Sequence, residues 1–94
     1  MKKDVKASSG LIPTPVVMVT CQEKESRPNI ITLAWVGVAC SEPPIIAISI
    51  RPDRHSYSLI KNSQQFVVNV PDLSLVKTTD YCGNVSGKNV DKFK

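Results

Sequence analysis

The fold of this chain is decided by one run near the middle of the sequence, Ile30-Ile31-Thr32-Leu33-Ala34-Trp35-Val36-Gly37-Val38-Ala39-Cys40. Its β-branched residues and lack of a helical period predict a long strand over residues 30–40, with a bulge or bend at Gly37. Side chains alternate between faces, so Trp35 shares a face with Asn29, Ile31 and Leu33, opposite Thr32 and Ala34. Trp35 therefore fits best as a core residue, and a ring that stacks on a planar ligand is the alternative.

Three further strands flank this run, over residues 16–21, 45–50 and 66–70. Pro43 and Pro44 separate the long strand from the next one, and Pro71 stops the last. Short connections favour antiparallel neighbours. A short helix is predicted over residues 53–62 with Asp53 as its N-cap. A second helix, capped by Asp72 or Ser74, ends at Gly83 and turns Leu75, Val76 and Thr79 toward the sheet.

Length and charge bound the class of protein. The chain has 94 residues, 41% of them hydrophobic, which suits one small domain, and no apolar run is long enough to span a membrane. Residues 1–6 are basic, but Ala7-Ser8-Ser9-Gly10 replaces the apolar part of a secretory peptide, so we expect a cytoplasmic protein. The net charge of +4 is not gathered into a block, and only 5% of residues are aromatic. Nucleic acid is not an expected partner, although a small basic barrel that binds oligonucleotides remains a remote alternative.

The cysteines and the histidine do not form a recognisable catalytic or metal motif. Cys21, Cys40 and Cys82 stand at unrelated spacings, and His55 is the one histidine. We expect neither a metal site nor a disulfide framework, but reduced and largely buried thiols. His55 is expected at the surface in the first turn of its helix. With no triad, carboxylate pair or phosphate loop in the sequence, we name no catalytic residue.

The stretch Ser49-Ile50-Arg51-Pro52-Asp53-Arg54-His55-Ser56 is the strongest candidate for a binding site. It places two arginines and hydroxyl groups where a strand ends and a helix begins, an arrangement that favours a bound phosphate. In the alternative interpretation Asp53 caps the helix and pairs with the arginines in solvent. Ser86-Gly87-Lys88 and Lys92 form either a second group of cationic residues for a phosphate or a solvated loop. Asn69 needs a polar partner, from the backbone or from a ligand.

Together these stretches resemble the flavin reductase-like family, which has an FMN-binding split β-barrel, and within it the flavoredoxin-type branch. Thr32-x-Ala34-Trp35 carries the resemblance to that branch. The other matching stretches, in order, are Pro15 to Thr20, Pro28 to Leu33, Glu42-Pro43-Pro44, Ser49 to Ser56, Phe66 to Pro71, Asp80 to Gly83, Ser86-Gly87-Lys88 and Asp91-Lys92-Phe93.

The resemblance implies a mainly β fold with short helices, a Greek-key-related split barrel for which residues 1–94 resemble the amino-terminal portion. The barrel is then incomplete at its carboxyl-terminal side, and we expect its open edge to be covered by extensive subunit association or by a missing companion segment. It also implies a homodimer that binds FMN noncovalently near its interface. The implied flavin-contacting residues are Asn29, Thr32, Ala34, Trp35, Ser49, Arg51, Arg54 and Ser56, and, with weaker support, Asn69, Ser86 and Lys92. The phosphate is assigned to the arginine corner and Lys92, and the ring to Thr32 through Trp35.

Two activities fit this resemblance. The protein is either an NAD(P)H:flavin oxidoreductase, with NADH or NADPH as reductant, or an FMN-bearing electron carrier that is reduced by another redox protein. In both, the flavin performs the electron chemistry while the protein binds and orients it.

Overall fold

The computed structural model describes residues 3–4, 6–8, 10–11 and 13–93, so the basic segment over residues 1–6 lies partly outside the described residues. The strands are β1 (Val17–Cys21), β2 (Asn29–Leu33), β3 (Val36–Ser41), β4 (Pro44–Ile48) and β5 (Val67–Asn69). The helices are α1 (His55–Ser63) and α2 (Val76–Asn84), and a single 3-10 turn over Leu73–Leu75 leads into α2.

The strands form two separate antiparallel sheets. One has the order β2-β1-β5, and the other is the β3-β4 hairpin. Val19 at the centre of β1 pairs with Ile31 of β2 on one side and Val68 of β5 on the other. The predicted antiparallel neighbours and the mainly β class with short helices are confirmed. Neither sheet closes into a barrel within the described residues.

The prediction of a single long strand over residues 30–40 is wrong, because the segment forms two strands, β2 and β3. The chain leaves the first sheet at Ala34 and Trp35 and enters the second at Val36. The backbone N–H of Ser49 donates to the carbonyl oxygen of Trp35 over 3.0 Å at this bend. The irregularity in the β3-β4 pairing lies between Val38 and Cys40 rather than at Gly37. The alternation of apolar residues continues from β2 into β3 although the two strands belong to different sheets, so the sequence pattern does not reveal where the first strand ends.

The core lies where the three-stranded sheet meets α1. Val17, Val19 and Leu33 are its buried centre, and Leu59 of α1 is also buried. Trp35 does not belong to it, because half of the residue's surface is exposed, at 50%. The interpretation of Trp35 as a core residue is therefore wrong.

The two helices begin differently from expectation. The N-cap of α1 is Arg54, which makes no side-chain cap hydrogen bond, so the prediction of Asp53 as the cap is wrong. The prediction that Asp72 or Ser74 caps the second helix is also wrong, because the N-cap of α2 is Leu75, which makes no side-chain cap hydrogen bond. Asp72 instead caps the 3-10 turn ahead of α2, where its carboxylate accepts from the backbone N–H of Ser74 over 2.9 Å.

The predicted inner face of the second helix is only partly correct. The Thr79 hydroxyl donates to the Met18 sulfur of β1 over 3.5 Å, so Thr79 does face the sheet. Leu75 and Val76 stay exposed, at 41% and 55%. Thr79 is fixed to the sheet by polar contacts, while Leu75 and Val76 remain in contact with solvent, so the prediction that they face the sheet is wrong.

The cysteines are free thiols, as predicted. Cys21 and Cys82 are buried and Cys40 is partly buried. In the part of the chain that the structure describes, no helix is long and apolar enough to cross a membrane. No group of three or more metal-ligating side chains is found among those same residues.

Candidate functional site

A cavity of about 620 Å³ opens where the end of β2, the corner between β4 and α1, and the loop after α2 meet. We call it the main cavity. Ligand-binding clefts of proteins typically enclose about 300–1,000 Å³, so this volume suits a small-molecule cofactor.

Most of the residues that the sequence singled out line the main cavity. They are Asn29, Thr32, Ala34, Trp35, Ser49, Arg51, Arg54, Ser86 and Lys92. Ser56 and Asn69 are not part of the lining. Other residues complete the wall without having been predicted, namely Ile31, Leu33, Ile50, Asp53, His55, Cys82, Gly83, Asn84, Val85, Gly87, Asn89 and Val90.

The bend between the two sheets forms the aromatic side of the cavity. Trp35 follows β2 directly, and its carbonyl is held by the N–H of Ser49 at the end of β4. The tryptophan is therefore half exposed at a fixed place rather than packed inside the core. An indole in this position offers a flat face on which a planar ring can stack.

The arginine corner forms the cationic side. Asp53 lies between two arginines, with its carboxylate 3.5 Å from the Arg51 guanidinium and 4.0 Å from that of Arg54. This is the ion-paired alternative that the sequence left open. The side chains are exposed at 53% to 63%, and exposed pairs of this kind contribute little, about 0–1 kcal/mol. Both guanidinium groups thus remain available to a phosphate.

Lys92 closes the cavity from the loop after α2. Its ammonium donates to the carbonyl oxygens of Ile30 at 2.9 Å and Cys82 at 2.8 Å, which ties the loop to β2 and α2. Burial lowers the pKa of Lys92, and the nearby positive charge of Arg54 acts in the same direction. An ammonium has three N–H groups, so one donor remains for a ligand.

Ser56 lies behind the cavity wall and not in it. Its hydroxyl accepts from the Asn29 side-chain amide at 2.7 Å, and Ser56 has no exposed surface at all, at 0%. Burial raises the pKa of the neighbouring Cys21 thiol, and a hydrogen bond with Ser56 acts against that rise. In this geometry Ser56 acts on the cavity through the side chain of Asn29.

Gly87 lies in the loop after α2, in a position that its sequence motif did not mark as special. A Cβ atom there would lie 2.3 Å from the Asn29 Oδ1 atom and 2.7 Å from the His55 Cδ2 atom. Its carbonyl oxygen accepts a short hydrogen bond from the Arg27 guanidinium. The absence of a side chain allows the loop to lie against β2 and α1. The sequence signal that could have indicated this close approach is the position of the glycine between Ser86 and Lys88.

His55 lies beside Gly87 at the first residue of α1, as predicted, but it is only partly exposed. Burial lowers the pKa of His55, and the positive charges of Lys88, Arg27 and Lys92 lower it further. The lowered pKa favours the neutral form of the imidazole within a cationic surrounding.

Asn69 belongs to another part of the molecule. It pairs with Met18 in the first sheet, and its side-chain amide donates to the Met18 carbonyl over 3.0 Å. The backbone is therefore the polar partner that this amide needs. A contact between Asn69 and a ligand stays a prediction.

The sequence as a whole matches a known family model, the flavin reductase like domain, over residues 9–94. This chain belongs to the flavin reductase-like family. Among solved structures of similar fold is the flavoredoxin of Desulfovibrio vulgaris (Miyazaki F), which is 41% identical, has a TM-score of 0.88 and is covered over 51% of its length by 99% of this chain.

Two other proteins are similar to this chain in fold or in sequence. An FMN-binding protein of Thermus thermophilus has the same fold, with a TM-score of 0.85 at 22% identity, and matches 98% of this chain against 55% of its own. An uncharacterized protein of Aeropyrum pernix is 37% identical over 76 residues, or 81% of this flavin reductase-like chain and 28% of its own length. The chain thus spans about half the length of these structures, and less of that relative.

Proposed function

We propose that this protein is an FMN-binding flavoprotein of the flavin reductase type, which passes electrons as hydride from NADH or NADPH to a noncovalently bound flavin. The observation that carries the proposal is the main cavity, which brings residues from β2, the β4-α1 corner and the loop after α2 together around one volume. A half-exposed indole lies on one side of it and two guanidinium groups on another.

The residues present fit FMN in both shape and charge. Arg51 and Arg54 would hold the phosphate through charge-assisted hydrogen bonds, with the remaining donor of Lys92 beside them. Trp35, with Thr32 and Ala34 next to it, would receive the flavin ring. Asn29, Ser49 and Ser86 supply polar groups along the wall, and Ser56 holds Asn29 in place.

FMN, when bound, supplies the electron-transfer chemistry, and the protein contributes binding, orientation and electrostatics. No side chain of the cavity has to donate or remove a proton for hydride transfer. We therefore assign no catalytic residue and attribute the function of this chain to holding flavin and reductant against each other.

We further propose that the flavin lies near the interface of a homodimer. The two-stranded sheet, which begins directly after the cavity-lining Trp35, exposes Val38, Ile45 and Ile46, at 77%, 47% and 52%. Apolar surface of this kind is usually covered in a functional protein. A second copy of the chain would cover it and complete the cavity at its open side.

A second candidate is an electron carrier that does not oxidise a nicotinamide itself. It is favoured by the 41% identity to a flavoredoxin, the highest among the comparisons described above. A carrier and a reductase share the flavin site and differ in the source of electrons.

Titration with FMN tests the proposal directly. Trp35 is the one tryptophan of the chain, so its fluorescence reports on the cavity without interference. We expect saturable quenching as FMN binds, and no quenching would contradict the proposal. Steady-state oxidation of NADH and NADPH by the FMN-loaded protein then separates the candidates, because a carrier holds a reducible flavin but shows negligible turnover.

A further inference from the structure

Three segments of the chain bring Arg27, His55 and Lys88 close to Gly87, which lines the main cavity. Arg27 precedes β2 and donates to the Gly87 carbonyl, His55 begins α1 beside the Gly87 Cα atom, and Lys88 follows in the loop. We call Arg27 and Lys88 the Gly87 pair. The Arg27 guanidinium has five N–H donors, so its bond to Gly87 leaves the others free.

The Gly87 pair differs from the arginine corner in having no acidic partner. Arg51 and Arg54 share the Asp53 carboxylate, whereas no carboxylate of the described residues lies within 4.0 Å of Arg27 or Lys88. The uncompensated charge acts on its surroundings, since both cations lower the pKa of His55. Two positive charges thus lie beside Gly87 without a counterion from the described part of the chain; Gly87 lines the cavity, whereas Arg27 and Lys88 lie just outside its lining.

A charge count indicates that one phosphate can be neutralised without this surface. A phosphate monoester carries about two negative charges at neutral pH. Arg51 and Arg54, less the negative charge of Asp53, carry one net positive charge, and Lys92 adds a second. These groups together already balance the charge of the FMN phosphate. The Gly87 pair remains for a second phosphate monoester.

We propose that Arg27 and Lys88 form a second phosphate subsite, which binds the 2′-phosphate of NADPH and makes the protein select NADPH over NADH. An arginine fork and a lysine point charge match a dianionic monoester, and an arginine beside a nucleotide site is a common way to accommodate a 2′-phosphate. This inference rests on the proposed function, because it concerns the reductant of the same flavin.

The experiment measures binding of NADP⁺ and NAD⁺ to the FMN-loaded protein by calorimetry, which requires no turnover. The variant Lys88→Gln removes a charge without touching a described structural contact, and Lys88→Arg restores it. Lys77→Gln, on the exposed side of α2 and away from the cavity lining, is the matched control. Arg27→Gln is a second test, with the added loss of its bond to Gly87.

We expect the wild-type protein to bind NADP⁺ more tightly than NAD⁺. Lys88→Gln should weaken NADP⁺ about tenfold, the effect of one charge-assisted contact, and change NAD⁺ by less than about twofold. Lys88→Arg should retain most of the affinity, and Lys77→Gln all of it.

Equal affinities of the wild-type protein for both dinucleotides, including no binding of either, would overturn the inference. Equal losses of NADP⁺ and NAD⁺ affinity in Lys88→Gln would overturn it too, because they would indicate a contact with the shared pyrophosphate. An unchanged NADP⁺ affinity in Lys88→Gln would have the same consequence. Weaker binding of FMN but not riboflavin in Lys88→Gln would assign the pair to the flavin phosphate and also overturn it. Failure of the wild-type apoprotein to bind FMN would instead contradict the proposed function itself.

Discussion

The side-chain amide of Asn29 donates a hydrogen bond to the Ser56 hydroxyl over 2.7 Å, and both residues are buried, at 3% and 0% exposure. The bond joins the first residue of β2 to the second residue of α1, so it fixes the angle at which the helix leaves the cavity wall. Asn29 forms part of that wall, while Ser56 lies behind it. The position of the wall therefore depends on a residue that the cavity does not contain.

The Ser56→Ala variant should lose stability, because the Asn29 amide then has a buried N–H without an acceptor. Such a loss costs about 1–3 kcal/mol in the free energy of unfolding, which urea denaturation measures. The exposed Ser58 of the same helix is the control, and Ser58→Ala should change stability by less than about 0.5 kcal/mol. Equal effects of the two variants would show that the buried bond has no special importance.

The Gly87→Ala variant should weaken both stability and FMN binding. The added methyl group would lie 2.3 Å from the Asn29 Oδ1 atom, so the loop or the wall has to move. Overpacking of this kind costs about 1–3 kcal/mol. A Cβ atom at Gly37 meets nothing within 4 Å, so Gly37→Ala should leave stability unchanged or raise it by up to about 1 kcal/mol. Unaltered FMN affinity in Gly87→Ala would contradict the close approach of the loop.

The free energy of unfolding should decrease as the pH is lowered, because of His55. Burial and the neighbouring cations hold the pKa of His55 below its ordinary value of about 6.5, so the unfolded chain binds the proton more tightly than the folded one. The contribution is present above about pH 6.5 and is lost as the pH falls through the lower, folded-state pKa. Unfolding free energies of the wild type and His55→Gln, compared from about pH 7 downward, should show the wild type losing more.

An NMR titration of the His55 ring provides the direct check. Lys88→Gln should move the pKa of His55 upward, toward its ordinary value, because it removes one of the cations that lower it. The distant Lys77→Gln should leave the titration where it was. A His55 that titrates alike in all three proteins would contradict the cationic surrounding.

The arginine corner should discriminate FMN from riboflavin. Arg51→Gln and Arg54→Gln each remove a charge-assisted contact, worth about 1.5–3 kcal/mol, to a phosphate that riboflavin lacks. Fluorescence titrations should thus show weaker FMN binding and unchanged riboflavin binding, while Lys61→Gln, on α1 over the Tyr57 ring, should alter neither. Asp53→Asn should strengthen FMN binding, since it removes the competing carboxylate. Parallel losses for FMN and riboflavin would remove the phosphate from this corner.

Local residue patterns predicted most of the elements. The β-branched runs gave the first, fourth and fifth strands within a few residues, and Asp72 marked the start of the turn before α2. Proline and helix-capping chemistry act over a few residues, so they are visible in the sequence. The family, with its flavin, was also accessible, because its motifs follow one another in a fixed order.

The remaining features depended on contacts between distant parts of the chain. A hydrogen bond from Ser49 fixes the bend at Trp35, and Asn29 holds the buried Ser56 by another hydrogen bond. Position 87 requires glycine because side chains of β2 and α1 lie against it. The family resemblance implied ligand contacts for Asn69 and Ser56, and in the folded chain their side-chain hydrogen bonds are made with Met18 and Asn29. A polar residue needs a partner, but only the folded chain determines which one.

The sequence by itself determined that this protein is mainly β, belongs to a flavin-binding family and carries an arginine-rich corner, since these follow from composition, period and motif order. The tertiary structure alone decided that Trp35 faces a cavity, that Lys92 is held by two carbonyl groups, and that Arg27 bonds to Gly87. The physical reason is sequence separation: Arg27 and Gly87 lie 60 residues apart, and only packing brings them within hydrogen-bonding distance.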